Sequence, residues 1–492
     1  MHNGTLLAAV DLGSNSFRLE IGRFDQGHIQ RTEYLKETVR LGGGLDEDHQ
    51  LSLEAMQRGW ACLARFAERL GSFPPAQVRA VATQTLREAR NRDEFLRRGS
   101  EILGHTIDLV SGPEEARLIY QGVARLLPQS DERRLVVDIG GRSTELILGQ
   151  QFEARAVASY RVGSVAWSGQ HFSDGRFSAK AFASAEVAAL AVLEDATAVF
   201  APGAWDVAYG SSGTVGAVAD ILGHAGFEQG RIERAGLSWL KGQLLRAQSA
   251  DRVRLEGLKD DRRPVIGGGI SVLCAVFDLL GIDSMQVAQG ALRQGALYDL
   301  LQREHPETDL RGLAVQTLMQ RFAVDPAQAA RVAGTAAALH AQLTGQAGAP
   351  GARELVWAAQ LHEIGCLVSH IDAHRHGAYI LDHTDAAGFA RAELATLGTL
   401  VLGQRGKLRK MDVDMSDSTV ALQLLCLRLA TALCHARRDP AVQGLRLARA
   451  GQVFTLAAPT GWAARFPQSA HLLREEAAAW QKTPWELQVA LP

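Results

Sequence analysis

The chain has 492 residues, too many for one ordinary hydrophobic core, so several domains are expected. Its composition, 47% hydrophobic and 22% charged, excludes an intrinsically disordered chain, and its net charge of −2 excludes attraction of a polyanion by the field of the whole molecule. Any strongly anionic ligand must be met by local basic clusters, and five scattered cysteines without a CxxC fit reduced thiols in a cytoplasmic protein.

The N-terminus lacks a basic leader segment, and its apolar run stops at Asp11, so no signal peptide is expected. Leu6 to Val10 reads as a buried strand, and a second strand starts at Phe17. Between them Asp11, Gly13, Ser14, Asn15 and Ser16 make a tight polar turn. Its N–H groups and hydroxyls suit an anion, and Asp11 suits a metal or a polar ligand. The alternative is an ordinary hairpin whose Asp and Asn satisfy their own backbone. A third strand is expected over 29–34, and a helix over 54–70 with Met56, Trp60, Leu63 and Ala67 on its inner face. Strands at 78–82 and 106–110 follow, separated by a charged helix over 91–98.

Ser111-Gly112-Pro113-Glu114-Glu115 opens another helix, with Pro113 suited to the first helical position. Its two glutamates would complement the helix dipole without any further role. Leu118, Ile119, Val123 and Leu126 mark its inner face. Residues 135–149 then repeat the opening pattern. Asp138, Gly140, Ser143 and Leu146 match Asp11, Gly13, Ser16 and Leu19, each pair 127 positions apart (138 − 11 and so on). Four matches in register imply two similar domains facing each other. The place after Asp11 that corresponds to Glu145 is Arg18 (145 − 127).

A long alanine-rich helix is expected over 179–200. A strand over 206–209 then runs into Gly210-Ser211-Ser212-Gly213-Thr214, a glycine turn before a helix that would offer N–H groups to phosphate. Gly267-Gly268-Gly269 and the Val287–Gly295 stretch read as two more such turns, and 265–282 as a glycine loop and buried helix, with a membrane span as the lesser alternative. From about residue 305 the pattern is helical. His362, His370, His374, His376 and His383 cluster there with Glu363 and Asp382, as metal ligands or, as favoured here, as a basic surface lining an anion channel with Arg375 and Lys407–Lys410. Strands at 452–456 and 485–491, and a helix over 469–481, complete a small α/β cap.

Taken together, DLGSNSFRL (11–19), TLREA (85–89), SGPEEARLI (111–119), DIGGRSTEL (138–146), GSSGT (210–214), GALRQGALY (290–298), LHEIG (361–365) and HRHGAYIL (374–381) resemble the exopolyphosphatase / guanosine pentaphosphate phosphatase (Ppx/GppA) family across nearly the whole chain. The resemblance implies an α/β fold of two duplicated actin/Hsp70/sugar-kinase-like (ribonuclease H-like) domains, 1–125 and 126–304. A helical HD-like domain, 305–440, and a small α/β domain, 441–492, would follow. It implies Glu115 as the general base, Asp138 and Glu145 as ligands of Mg²⁺ or another divalent cation with Asp11 beside them, and Arg87 and Arg262 on the phosphate chain. Gly13, Ser14, Asn15, Ser16, Gly140, Gly141, Ser143, Thr144 and Gly213 would hold phosphate oxygens. Arg142 departs from the family's usual GGGSTE and would either disturb the second loop or add a guanidinium to the anion site.

The expected activity is exopolyphosphatase, releasing orthophosphate from the end of inorganic polyphosphate, the branch that HRHGAYIL resembles more. The alternatives are a guanosine pentaphosphate (pppGpp) 5′-phosphohydrolase, a sugar or acetate kinase of the same fold group, and a non-catalytic regulator that binds polyphosphate or an alarmone. A homodimer is expected, in the cytoplasm or at the membrane periphery, with no transmembrane segment and no nucleic-acid partner.

Overall fold

The computed structural model describes every residue except 305, 306, 412 and 482, and the side chain of residue 410. The chain divides into two compact units, Met1–Asp309 and Leu310–Pro492. The domain boundary expected at residue 305 falls outside the described residues.

In the first unit, β1 (Leu6–Leu12), β2 (Phe17–Asp25) and β3 (His28–Glu37) form an antiparallel meander. Helix α1 (Leu53–Leu70), capped by the Ser52 hydroxyl, leads to β4 (Val78–Ala82). Helices α2 (Gln84–Glu88) and α3 (Arg92–Leu103) lead to β5 (Ile107–Leu109), and the sheet order is β3-β2-β1-β4-β5. Strand β1 is buried from Leu7 to Leu12, as its unbroken apolar run requires of a strand covered on both faces.

Helix α4 (Gly112–Leu126) crosses to a second sheet, and of its expected inner face only Leu126 is exposed. There β6 (Arg133–Ile139), β7 (Thr144–Gln150) and β8 (Glu153–Tyr160) repeat the meander. Helices α5 (Ser164–His171) and α6 (Ala179–Leu193) precede β9 (Val207–Ser211) and α7 (Ser212–His224). Strand β10 (Arg231–Glu233), helices α8 (Arg234–Ala247) and α9 (Ile266–Leu279), strand β11 (Ser284–Val287) and helix α10 (Leu292–Glu304) complete the unit. The sheet order is β10-β11-β9-β6-β7-β8.

The duplication extends to single residues. Asp11 faces Arg18 across β1 and β2, and Asp138 faces Glu145 across β6 and β7. Both meanders slip register at a glycine, Gly22 and Gly149, again 127 apart (149 − 22). Each bulge re-aims its strand and tightens the local twist in the same place.

Two helices lock the halves together. Helix α4 is buried among Val81 of β4 and Val136 and Ile147 of the second sheet. Helix α10 packs on α4 and covers Leu7 and Ala9 of β1 with Ala296, Leu297 and Leu300. Their crossing is backbone against backbone, since a Cβ on Gly122 would lie 2.7 Å from the Gly295 nitrogen. Arg117 of α4 binds Glu114 and Asp299 at 2.7 Å each, and Arg303 binds Asp299 at 2.7 Å.

Two glycine motifs therefore serve packing. Gly267–Gly269 lie inside the first turn of α9, where Gly268 N–H donates to the Ser168 hydroxyl of α5 at 3.0 Å. A Cβ there would meet Ser168 at 2.5 Å, so these residues allow close helix contact and form no anion turn. Gly295 likewise lies within α10, whereas Ala288–Arg293 just before it line the cavity described below. No helix among the described residues is long and apolar enough to cross a membrane, and 265–282 holds the buried α9.

The second unit has one continuous core. Helices α11 (Leu310–Arg321), α12 (Pro326–Thr344), α13 (Ala352–Gln360), α14 (Ala373–Asp382), α15 (Arg391–Gly403) and α16 (Ser418–Leu433) precede β12 (Arg446–Ala450) and β13 (Val453–Ala457). Helices α17 (Trp462–Arg465) and α18 (Pro467–Trp480) and strand β14 (Glu486–Ala490) follow. The sheet order is β12-β13-β14, and β12 was not foreseen. A buried Arg428–Glu476 pair joins α16 to α18, with Trp480 Nε1–H donating to Glu476 at 2.7 Å.

Candidate functional site

A cavity of about 390 Å³ opens within the first unit, where the two β-turns face each other. Gly13, Ser14, Asn15 and Ser16 line it from one turn, and Gly140, Gly141 and Ser143 from the other. Each turn is pinned by its carbonyls. Gly42 N–H donates to the Ser14 carbonyl at 2.8 Å, and Ser164 N–H and Val165 N–H at the start of α5 donate to those of Gly140 (2.9 Å) and Gly141 (2.8 Å). The first turn position is tight in both copies. A Cβ on Gly13 would stand 3.0 Å from the Ser16 carbonyl oxygen, and one on Gly140 3.1 Å from that of Ser143.

Asp11, Glu115, Asp138, Gly213 and Arg262 also line the cavity, whereas Arg87, Thr144 and Glu145 do not. The Thr144 hydroxyl donates to the Val162 carbonyl at 2.6 Å, which fixes the strand end. Arg87 is committed to the protein. Its Nη1 donates to Glu115 Oε2 at 2.7 Å and to the Val110 carbonyl, and its other nitrogens donate to Gln84.

The two first-turn glutamates part company. Glu114 is turned into the Arg117–Asp299 network, while Glu115 opens on the cavity. Burial raises the Glu115 pKa above the usual carboxylate range, opposed by the Arg87 guanidinium. Burial likewise pushes Asp138 up to about 6, with the Ser211 hydroxyl and the Arg18 charge opposing it. Glu145, fully buried, is raised well above its ordinary value by burial and then by the nearby Glu115 and Asp138 charges. Its Oε1 accepts from the Ser159 hydroxyl at 2.8 Å, and its Oε2 is buried without a hydrogen-bond partner.

The remaining wall carries five cations, Arg18, Lys36, Lys259, Arg262 and Arg293, among neutral residues that include Tyr34. Arg18 and Arg293 both approach Asp11 Oδ2, at 3.1 and 3.4 Å, so Asp11 anchors guanidiniums. Lys36 pairs with Asp261 at 2.9 Å. Arg262 lies across Gly213, where a Cβ would fall 2.7 Å from its Cζ, which explains the glycine. Burial lowers the Arg262 pKa, and the Arg18 charge adds to this, so an arriving anion would relieve a crowded set of cations. Ser212 on this wall holds φ at +92°, strained backbone of the kind kept at ligand sites.

Arg18, Lys36, Lys259, Arg293 and Ser212, and Tyr34 which also lines the cavity, were not foreseen as site residues. Alternation along β3, which puts Tyr34 and Lys36 on one face, was the signal available for two of them. Arg142 contributes no guanidinium to the cavity. Its Nη2 and Nε donate to Glu88 Oε2 at 2.6 and 2.9 Å, and its Nη1 to the Gly42 carbonyl, tying the second turn to the first half.

Among the described residues no three His, Cys, Asp or Glu side chains are gathered as a metal site, so Asp11, Asp138 and Glu145 do not form one cage. Mg²⁺ keeps several waters and takes one or two carboxylates with substrate phosphates. The orphaned Oε2 of Glu145 and the carboxylate of its cross-strand partner Asp138 fit that requirement. Asp11, held by two arginines, fits it less well.

In the second unit His362, His370 and His374 line one cavity of about 350 Å³ with Glu363, Arg405 and Arg437, while His376 and His383 do not reach it. Glu363, the carboxylate of the HD-like pair, is bound by Arg437 at 2.7 and 2.9 Å. A guanidinium thus takes the place where a metal would need that carboxylate.

The family model described as Ppx/GppA phosphatase matches residues 21–304, and that of Ppx/GppA phosphatase domain III matches 310–477. The chain is 38% identical to a guanosine-5′-triphosphate,3′-diphosphate pyrophosphatase of Aeromonas hydrophila, covering 99% of each chain. It is 39% identical to a protein of the same name from Vibrio cholerae, covering 98% of each. Among solved structures it resembles an exopolyphosphatase-like protein, 26% identical, with a TM-score of 0.55 over 61% of this chain and 100% of the other.

Proposed function

Since the chain belongs to the Ppx/GppA phosphatase family, we propose that it removes the terminal 5′-phosphate of guanosine 5′-triphosphate 3′-diphosphate (pppGpp). One observation carries the chemistry: Glu115 alone of the two first-turn glutamates opens on the cavity, braced by Arg87 and facing a cationic wall. The names of the full-length relatives favour this substrate over the polyphosphate that HRHGAYIL suggested.

In this reading the terminal phosphate lies between the two β-turns, its oxygens held by turn N–H groups and by the hydroxyls of Ser14, Ser16 and Ser143. Arg18 and Arg262 hold the following phosphates. Glu115 takes a proton from water as the water oxygen bonds to the terminal phosphorus. The bond from that phosphorus to the bridging oxygen breaks, and the electron pair leaves on the shortened chain. A carboxylate raised by burial is a better base at neutral pH than an ordinary one. Mg²⁺ bound through Asp138 and Glu145 would supply charge neutralisation for the leaving oxygen. Arg87 holds the Glu115 carboxylate in place.

Inorganic polyphosphate is the second reading, because the turns and arginines recognise phosphates alone. Orthophosphate release from pppGpp and from long-chain polyphosphate, measured side by side, tests the choice. The higher kcat/KM is expected with pppGpp, and the reverse ranking would return the enzyme to exopolyphosphatase.

A further inference from the structure

Tyr34 is the one aromatic side chain among the described residues lining the catalytic cavity. It stands on β3, 41% exposed, and faces Glu20 across β2. Lys36, two residues on, shares its face of the sheet and faces Arg18. The guanidinium of Arg293 lies over the Tyr34 ring at 5.3 Å, and that of Arg31 at 5.7 Å. The cavity therefore carries turns and the base, then arginines, and also one aromatic ring with guanidiniums lying over it.

A ring face offers nothing to a bare phosphate chain, which could meet Tyr34 only through its hydroxyl. It suits a flat heteroaromatic group tethered to phosphates, since aromatic rings and guanidinium planes stack bases with little regard to sequence. A tyrosine kept only to cover Arg293 could be packed away from water, yet this residue is 41% exposed.

We propose that Tyr34, with the Arg293 guanidinium, is the platform on which the purine base of the nucleotide substrate stacks, and so separates nucleotide from inorganic polyphosphates. The proposal rests on the pppGpp reading and deepens it by naming the residue that sets the preference. The phosphates anchor the chain in the turns, and the stack places the nucleoside end. A stacked base gains most of its energy from ring area, so phenylalanine should replace tyrosine and leucine should not.

The test uses the full chain as wild type, Tyr34→Phe and Tyr34→Leu. The readout is the ratio of kcat/KM for pppGpp to kcat/KM for inorganic tripolyphosphate. Tyr34→Leu should lower that ratio roughly 5- to 100-fold, mostly through KM for pppGpp, as loss of one base stack implies. Tyr34→Phe should hold it within about twofold of wild type. An equal loss on both substrates in Tyr34→Leu would mean that the ring merely props Arg293, and would overturn the proposal. A fall in Tyr34→Phe as large as in Tyr34→Leu would assign the effect to the hydroxyl and overturn it too. Wild-type protein that cleaves tripolyphosphate but not pppGpp sinks the functional reading instead. In that case the dissociation constants of the same two ligands, measured by calorimetry across the three proteins, decide for or against the stack by the same ratio.

Discussion

Glu114 and Glu115 are neighbours in sequence and opposites in role, because a helix turns each residue by about 100° from the last. Glu114 is spent on Arg117, and Glu115 is left facing the cavity. Nothing in the order of letters separates them; the resemblance assigned the role, and the helix phase gives the physical reason. Since burial raises Glu115 and Arg87 opposes that rise, kcat should climb with pH through a limb above about 4.3, the ordinary glutamate value. Arg87→Met should move the limb higher still, and an unmoved limb would show that another group titrates. Asp138 gives a stability counterpart. Its folded pKa of about 6 exceeds its unfolded value, so its contribution is full at low pH and is lost as pH rises through about 6. Asp138→Asn removes that penalty, so from pH 4 to pH 8 the variant should gain up to about 3 kcal/mol on wild type in denaturant unfolding, the value of about two pKa units. A constant difference across this range would contradict the raised pKa.

At the scale of elements, the duplication was legible because it shows as matched letters: the 127-residue offset pairs turns, carboxylates and even the bulge glycines. The glycine motifs were legible only in part. A glycine may stand for left-handed backbone or for a missing Cβ, and sequence does not say which. None of Gly267–Gly269 has positive φ; they are there for what a Cβ would strike, the Phe177 ring for Gly267, Ser168 of α5 for Gly268 and Thr214 of α7 for Gly269. Gly122→Val should accordingly destabilise the chain by about 2 kcal/mol or more, through overpacking at the α4–α10 crossing. Arg142 was read as a disturbance of the second turn or as an extra anion ligand, and it is a strut to Glu88. Arg142→Gly should cost about 1–3 kcal/mol by leaving the Glu88 carboxylate, 9% exposed, without its cation. Adding Glu88→Gln should recover part of that loss. If the two losses simply add, the strut contributes nothing as a pair.

At the scale of the molecule, the choice between substrates was the part least written in the sequence. The stretch that pointed to exopolyphosphatase forms most of α14 in the second unit, whereas every residue of the catalytic cavity lies in the first. The shared motifs build a phosphate grip that serves both substrates alike, and the feature able to tell them apart, an exposed ring on an edge strand, belongs to no motif. Overall charge is equally silent. With a net charge of −2, attraction of a polyanion must come from local cations such as Arg18, Lys36, Lys259, Arg262 and Arg293 of the cavity wall. KM for pppGpp should therefore rise between about 0.05 and 0.5 M salt while kcat changes little. The most direct test of the account is Glu115→Gln assayed on pppGpp. Turnover should fall roughly 10²–10⁴-fold while the dissociation constant stays within about threefold of wild type. Retained turnover, or a loss of binding that matches the loss of rate, would contradict Glu115 as the base.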